Sequence, residues 1–477
     1  MRWSVSALLL ALAFAPAAHG GGSSIALGAA EDAVRAPTLV EAEANMGLVR
    51  LAGFRAVRVT STWEPGLSAP TEHEAAVLAN VAAAAAIHAV RVYVSVYHAG
   101  SRTTPLTPEA RTEFAAYVAA IVGANPALRD VIVGNEPNLN RFWLPQFADD
   151  GSGASAPAYN ELLAEAYDAV KAVAPETTVW GGALAPRGVD KPFTGRDTIS
   201  PTRFLSEWGA AYRASGRSEP VMDGFSFHPY GTDSSAPVDK KPSDSDHLAL
   251  ADQDKLVRLL GHAFDGSGQR GSGLPILYDE YGIESIVPRE KAALYVGREP
   301  LTTKPVDEVA QAAAYAQALR LAYCQSNVAG ILLFHAHDET ELAGWQSGLF
   351  YADGTAKASL GVVRETMDAI AGGTAGKCPL LVNPVVAFTP STRRISLRCD
   401  RDCVYRARLL RVTTGAITAW RTGRAAPGRR LSFQIGARVA PGRYRIAISF
   451  VHATRPGKPV VRTSVPFAVR SVSRSQR

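Results

Sequence analysis

The chain has 477 residues, of which 47% are hydrophobic and 20% charged, with a net charge of +6. This is the composition of a globular protein of one large or two smaller domains, and it excludes a disordered chain. The modest net charge conceals a division. From Cys378 to Arg477 there are 20 Lys+Arg against Asp400 and Asp402, or +18, which leaves 30 basic and 42 acidic residues before them, or −12.

Residues 1–20 carry a basic residue, a short apolar run and small residues up to Gly20. This pattern predicts a secretory signal peptide cleaved after Gly20. The run is short for a membrane span, and no later stretch of about 20 apolar residues follows. The expected protein is secreted and extracellular, with cell-wall association as a further option through its basic end. Four cysteines, Cys324, Cys378, Cys399 and Cys403, suit an oxidising compartment. They allow three pairings, of which Cys324–Cys378 with Cys399–Cys403 is favoured, because the second pair brackets the short polar turn Asp400-Arg-Asp402. No histidine lies near Cys399 to argue for structural zinc.

From about residue 24 to 372, strand-like runs at 25–28, 56–60, 90–97, 131–135, 178–183, 224–228, 275–280 and 330–335 alternate with helical stretches. The helices named by pattern are 39–51, 108–123, 159–173, 201–214, 253–263, 307–324 and 357–371. Eight strands with crossover helices predict an α/β fold of the (β/α)₈ barrel type over 21–372, with a doubly wound open sheet as the alternative. No Gly-x-Gly-x-x-Gly turn follows the first strand, which weakens a dinucleotide-binding reading. After a joint at 372–376, short alternating strands at 385–388, 394–399, 403–412, 431–435, 442–451 and 460–469 predict a basic all-β sandwich, immunoglobulin-like or fibronectin-like, over 378–477.

Two strings carry the chemistry: Val131-Ile-Val-Gly-Asn-Glu-Pro137 and Pro275-Ile-Leu-Tyr-Asp-Glu-Tyr281. Each is an apolar run ending in a glutamate, and an acid where a buried strand meets a rim must be paired or desolvated. Two such acids, Glu136 and Glu280, suit glycoside hydrolysis, which needs two carboxyl groups across one bond. Other chemistry-bearing residues fall near strand ends: Arg58, His98, Asn135, His228, Tyr230 and His335. Barrel active sites lie at that rim.

Asn135-Glu136-Pro137, Phe227-His228-Pro229-Tyr230 and Glu280, taken in order at strand ends, resemble clan A of the glycoside hydrolases, above all its family 5 cellulase-like and family 39-like members. The resemblance covers roughly 24–370 and implies a retaining β-glycosidase without metal or organic cofactor. It further implies that Glu136 is the acid/base and Glu280 the nucleophile.

On physical grounds Arg58 is expected beneath Glu280, Tyr230 as its hydrogen-bond donor and Asn135 at the sugar 2-hydroxyl. His98 and His228 read as sugar contacts or as structural histidines. Many members of the clan offer a tryptophan after strand eight where this chain has Phe334-His-Ala-His337, so Trp345 is the expected sugar platform, with Trp63 and Trp143 as candidates. Asp279 is expected on the opposite strand face from Glu280. Glu284, Glu339 and Glu341 read as rim acids. A Ser-His-Asp hydrolase and a metal site at His335, His337 and Asp338 are disfavoured. The basic tail is expected either to hold an anionic polymer, such as an acidic polysaccharide or a cell-wall polymer, or to be a solubilising surface, with no specific nucleic-acid motif. Trp420 and Tyr444 are expected to pack in its core, with a carbohydrate platform as the alternative. A carbohydrate-binding or cell-envelope protein that keeps the barrel without turnover is the alternative function.

Overall fold

The computed structural model describes residues 21–242, 246–325, 327–376, 378, 382, 384–454 and 459–469. The expected signal peptide lies outside them, as do residues 470–477. Eight parallel strands close into one barrel in chain order. They are β1 (Ala26–Ala30), β2 (Ala56–Trp63), β3 (Arg91–His98), β4 (Asp130–Val133), β5 (Thr178–Leu184), β6 (Gly224–Phe227), β7 (Ile276–Tyr281) and β8 (Val328–Phe334). β8 pairs with β1 from Ala26↔Gly330 to Ala30↔Phe334, which closes the ring.

Around it lie α1 (Leu39–Leu51), α2 (Glu72–His88), α3 (Pro108–Ala124), α4 (Ser155–Val173), α5 (Pro201–Ala214), α6 (Gln253–Phe264), α7 (Glu308–Tyr323) and α8 (Ser359–Ala371). Their starts are chemically marked. Thr107 and Ser200 cap α3 and α5 through their side-chain oxygens, each followed by proline at the first helical position, where its missing N–H costs nothing. The pattern reading had not named α2. Its alanine-dense sequence has little apolar contrast to mark one face, although Thr71 caps it like the others.

The inside of the barrel is filled, not hollow. Tyr93, Ile132, Trp180, Leu277 and Leu332 form a separate buried cluster there, while the larger core lies between strands and helices. Above this packed layer the C-terminal ends of the strands carry the polar side chains of the candidate site.

The tail contains β9 (Pro384–Thr389), β10 (Arg394–Cys399), β11 (Cys403–Arg411), β12 (Ile417–Ala425), β13 (Leu431–Gln434), β14 (Gly442–His452), β15 (Val460–Thr463) and β16 (Phe467–Val469). One sheet runs β13-β10-β9. The other runs β12-β11-β14-β15, with β16 also on β14. Tyr405, Leu409, Ile446, Ile448 and Phe450 fill the space between the sheets together with Val386 and Ile395. Two expectations need correction here. β12 was missing from the reading, and the run 460–469 is two strands parted by Ser464-Val-Pro466.

Cys324, at the end of α7, is bonded to Cys378, and Cys399 to Cys403, with Cα atoms 5.2 and 6.4 Å apart. The tail also touches α6, where Thr463 Oγ1 and His262 Nε2 are 2.9 Å apart, and Ser272 Oγ donates to Val386 O at 3.1 Å. Loop-closure entropy grows with ring size, so the 54-residue separation of the first bridge should stabilise by about 4 kcal/mol and the 4-residue separation of the second by about 2 kcal/mol. Urea unfolding should therefore show a larger loss for C324S/C378S than for C399S/C403S. Equal losses would show that ring size does not govern the difference.

Candidate active site

The site is assembled by departures from regular strand geometry. β4 ends at Val133, and the chain turns at Gly134 with φ +89°, where an added Cβ would sit 2.9 Å from the Tyr159 ring. Glu136 follows with φ +41°, a left-handed conformation that a non-glycine residue adopts only when its surroundings hold it there. What holds it is β5. The β5–β6 register slips between Gly182 and Leu184, which turns the Ala183 carbonyl out to accept the Glu136 N–H at 2.9 Å. Beyond it, Asn138 is fully buried, accepts from Ala185 N at 2.9 Å and donates to Ile199 O at 2.9 Å.

β7 departs from regularity in a second way. Tyr278 pairs with Ile331 but Tyr281 pairs with Leu333, so three residue steps on β7 oppose two on β8. One extra residue in a strand breaks the alternation of faces. Both Asp279 and Glu280 consequently reach Arg58 and His228, and the expectation that Asp279 faces away is overturned. Asp279 is the main functional residue that the reading missed. The visible signal was the acid doublet itself.

Arg58 was expected near the end of its strand. It is the third residue of the eight in β2, well below the rim, and its length carries the guanidinium up to the acids. Its Nη1 donates to Glu280 Oε1 at 2.5 Å, Nη2 donates to Asn135 Oδ1 and Ser95 Oγ at 3.1 Å, and Nε lies 3.6 Å from Asp279. Tyr230 OH donates to Glu280 Oε2 at 3.0 Å. His228 bridges the group, with Nδ1 3.0 Å from Glu136 Oε1 and 3.4 Å from Glu280 Oε2, and Nε2 3.3 Å from Asp279 Oδ2. One ligand-type atom from each of Glu136, His228 and Glu280 lies within 4.8 Å of the other two.

Burial opposes charge on both cations, but the acids outweigh it. Burial pushes the His228 imidazolium down, yet Glu280, Asp279 and its hydrogen bonds lift it to about 10. For Arg58 burial is likewise outweighed by Glu280 and Asp279, and the guanidinium is held above its ordinary value. Burial, then Glu280 and Glu136, keep Tyr230 well above the usual phenol range, so it stays a donor.

Among the described residues, Glu136, His228 and Glu280 form the one group with metal-ligand spacing. Both His228 nitrogens face carboxylates, however, and a protonated imidazole has no lone pair to offer a cation. The donor set fits an ion-pair network better than a metal. The other metal candidates are engaged apart from one another: His335 Nε2 with Glu339 (3.1 Å), His337 Nδ1 with Glu31 (3.1 Å), and Asp338 with Lys357 (2.7 Å).

The remaining sequence candidates divide by contact. Trp345 is half-buried beside Tyr230, with ring centroids 5.0 Å apart, and meets the edge of Phe334 at 5.3 Å. Its loop is pinned from below by Lys357, whose buried Nζ donates to Asp338 Oδ1 (2.7 Å), Ser285 Oγ (2.8 Å) and Gln346 O (3.0 Å). His98 Nδ1 lies 2.7 Å from Gly100 O and its ring meets the edge of Trp143. Burial outweighs that hydrogen bond and lowers it to about 4. Those contacts are structural.

Trp63 and Trp143 are almost fully buried and serve the core, not a sugar face. His335 Nδ1 lies 2.6 Å from Ala30 O and its Nε2 3.1 Å from Glu339. Glu284 is buried, its Oε2 has no hydrogen-bond partner, and burial with nearby Glu299 pushes it up to about 7. Glu341 stays exposed.

No protein-family model matches the chain, and no curated protein matches it in sequence. Solved structures do resemble it. A family 39 glycoside hydrolase from the gut symbiont Bacteroides cellulosilyticus WH2 superposes with TM-score 0.50 at 15% identity, over 86% of this chain and 81% of that one. A GH5_18 protein from Streptomyces cattleya in complex with GlcNAc gives 0.49 at 16% identity, over 75% and 82%. A glucosidase from Croceicoccus marinus gives 0.47 at 13% identity, over 82% and 89%. With the closed parallel barrel, the first likeness shows a (β/α)₈ barrel fold, followed here by a β-domain.

His228 makes stability depend on pH with a defined sign. Its folded value lies above the free-histidine value near 6.5, so its contribution is complete below that and lost as pH rises through about 10. Urea midpoints should fall between pH 7 and 10 in the native protein, and H228Q should flatten that slope. An unchanged slope in the variant would place the titration elsewhere.

Proposed function

We propose that the chain is an exported retaining β-glycosidase in which Glu280 is the nucleophile and Glu136 the acid/base. One observation carries this reading: carboxylate oxygens of the two glutamates come within 4.8 Å of each other at the open rim. Retaining enzymes need about 5–5.5 Å between the carboxyls, whereas inverting enzymes leave about 6.5–9.5 Å for a water.

The division of roles rests on donors. Glu280 receives Arg58 and Tyr230 on its two oxygens, which favours the carboxylate and fixes its rotamer. The departing oxygen needs a proton, and Glu136, whose oxygen faces His228 Nδ1 at 3.0 Å, is assigned to carry it. Glu280 then attacks the anomeric carbon while Glu136 passes its proton to the departing oxygen, giving a glycosyl ester and a free alcohol. In the second step Glu136, now ionised, takes a proton from water, and that water displaces Glu280 with net retention.

Asn135 has its amide oxygen on Arg58, so its NH₂ remains to donate to the 2-hydroxyl. Trp345 and Tyr230 offer the apolar surface for the ring. The leader-like start and two disulfides support export.

On aryl β-glycosides, E136Q and E280Q should each lose at least about 10²–10⁴ in kcat/KM. Proton NMR should give the β-anomer first. Wild type and both variants equally inert across gluco-, manno-, xylo- and galactosides would sink the assignment, and an inverted first product would remove the nucleophile role of Glu280. R58M should unfold about 3 kcal/mol more easily, because the Glu280 and Asp279 charges lose their buried partner. A stability loss within error of zero would mean that the pair is not the counter-ion system described.

A further inference from the structure

The tail presents a second surface that hydrolysis does not use. In the five-stranded sheet, Tyr405, Ala407 and Leu409 of β11 are buried in the sandwich, so Val404, Arg406 and Arg408 project from the opposite face. β12 is the edge strand beside it, and the register places Trp420 opposite Arg408, Thr422 opposite Arg406, and Arg424 opposite Val404. Trp420 is 69% exposed, which overturns the expectation of a core residue; Tyr444 is the one that is buried. A tryptophan left in water on a regular strand forfeits its burial energy, as ligand platforms do.

Charge identifies the partner. Of the 20 basic residues in the tail, 19 are arginine and one is lysine, against two acids. Among the described residues no acid pairs with Arg406 or Arg408, while Arg424 Nη2 reaches Asp402 at 3.2 Å. Arginine forks match carboxylate and sulfate geometry bidentately. Directly opposed side chains stand about 5 Å apart and alternate residues along a strand about 7 Å, so an indole and two guanidiniums fall within the length of two sugar rings.

We propose that this face binds an anionic polysaccharide, with Trp420 stacking on a pyranose ring and Arg406 and Arg408 holding its acidic groups. A lone aromatic on a flat sheet suits one sugar face, whereas single-stranded nucleic acid stacks successive bases on several aromatics along a groove. The face lies in the tail, outside the barrel rim and its two glutamates, so the inference stands whether or not the barrel hydrolyses glycosides.

The test is affinity electrophoresis and titration calorimetry of the full chain against polygalacturonate, with neutral dextran, single-stranded DNA and phosphatidylglycerol vesicles as comparators. Polygalacturonate should bind, dextran should not, and binding should weaken with added salt. W420A and R406Q/R408Q should each raise Kd roughly five- to tenfold while turnover of a soluble aryl glycoside stays unchanged. E136Q should bind polygalacturonate as wild type does, which separates this result from any failure of the hydrolytic reading. No binding, full binding by W420A and by the arginine pair variant, loss of binding in E136Q, or tighter binding to DNA or vesicles would each overturn the proposal.

Discussion

The open end of the barrel depends on a balance of buried charge. Arg58 rises from within the barrel to Glu280 and Asp279, His228 links these acids to Glu136, and none of these charges is stable there alone. Removing a carboxylate from water costs several kcal/mol, which is recovered only by close, well-aligned partners. The network supplies them: Arg58 meets Glu280 and flanks Asp279, and His228 spans Asp279 and Glu136. Against the cost of its burial, His228 is held as an imidazolium by Glu280 and the wholly buried Asp279 together. The same network fixes the direction of each glutamate, so electrostatics and geometry have one cause.

Two irregular strands convert that balance into a site. Regular alternation would send only every second residue of β7 inward and would keep the carbonyls of β5 within the ladder. The slip at Gly182–Leu184 frees the Ala183 carbonyl for the backbone of Glu136, and the extra residue at Asp279-Glu280 turns two consecutive acids toward one centre. Such bulges weaken the ladder locally. Here they fall where strands reach the rim, and the packed layer of Tyr93, Trp180 and Leu332 lies in the barrel interior.

Much of this was legible in the residues, for identifiable reasons. Apolar β-branched runs that stop at an acid marked β4 and β7 and the two glutamates. Tyr230 and Arg58 could be argued onto Glu280 from charge and strand position. The order of the barrel followed from alternation. Other features were not legible. The depth of Arg58 was misjudged because β2 continues through Ser61-Thr-Trp63, and side-chain length let a residue from below reach the top. Asp279 was assigned outward because the period-2 rule is blind to a bulge. α2 lacked apolar contrast. β12, Ile417-Thr-Ala-Trp-Arg-Thr-Gly-Arg-Ala425, has no alternating pattern because it is an edge strand exposed along most of its length, and Trp420 was mistaken for core for the same reason.

The attachment of the tail has a mechanical consequence. A single flexible joint at 372–376 would let the β-domain swing about the barrel. Instead, Cys378 is bonded to the end of α7, Ser272 grips β9 through Val386, and Thr463 meets His262 on α6. Three anchors on separate segments, one of them covalent, restrain the joint in the manner of a bracket. Any long strand of material resting on the tail is thereby held at a constant bearing and reach from the barrel mouth, in the manner of a tool rest beside a lathe.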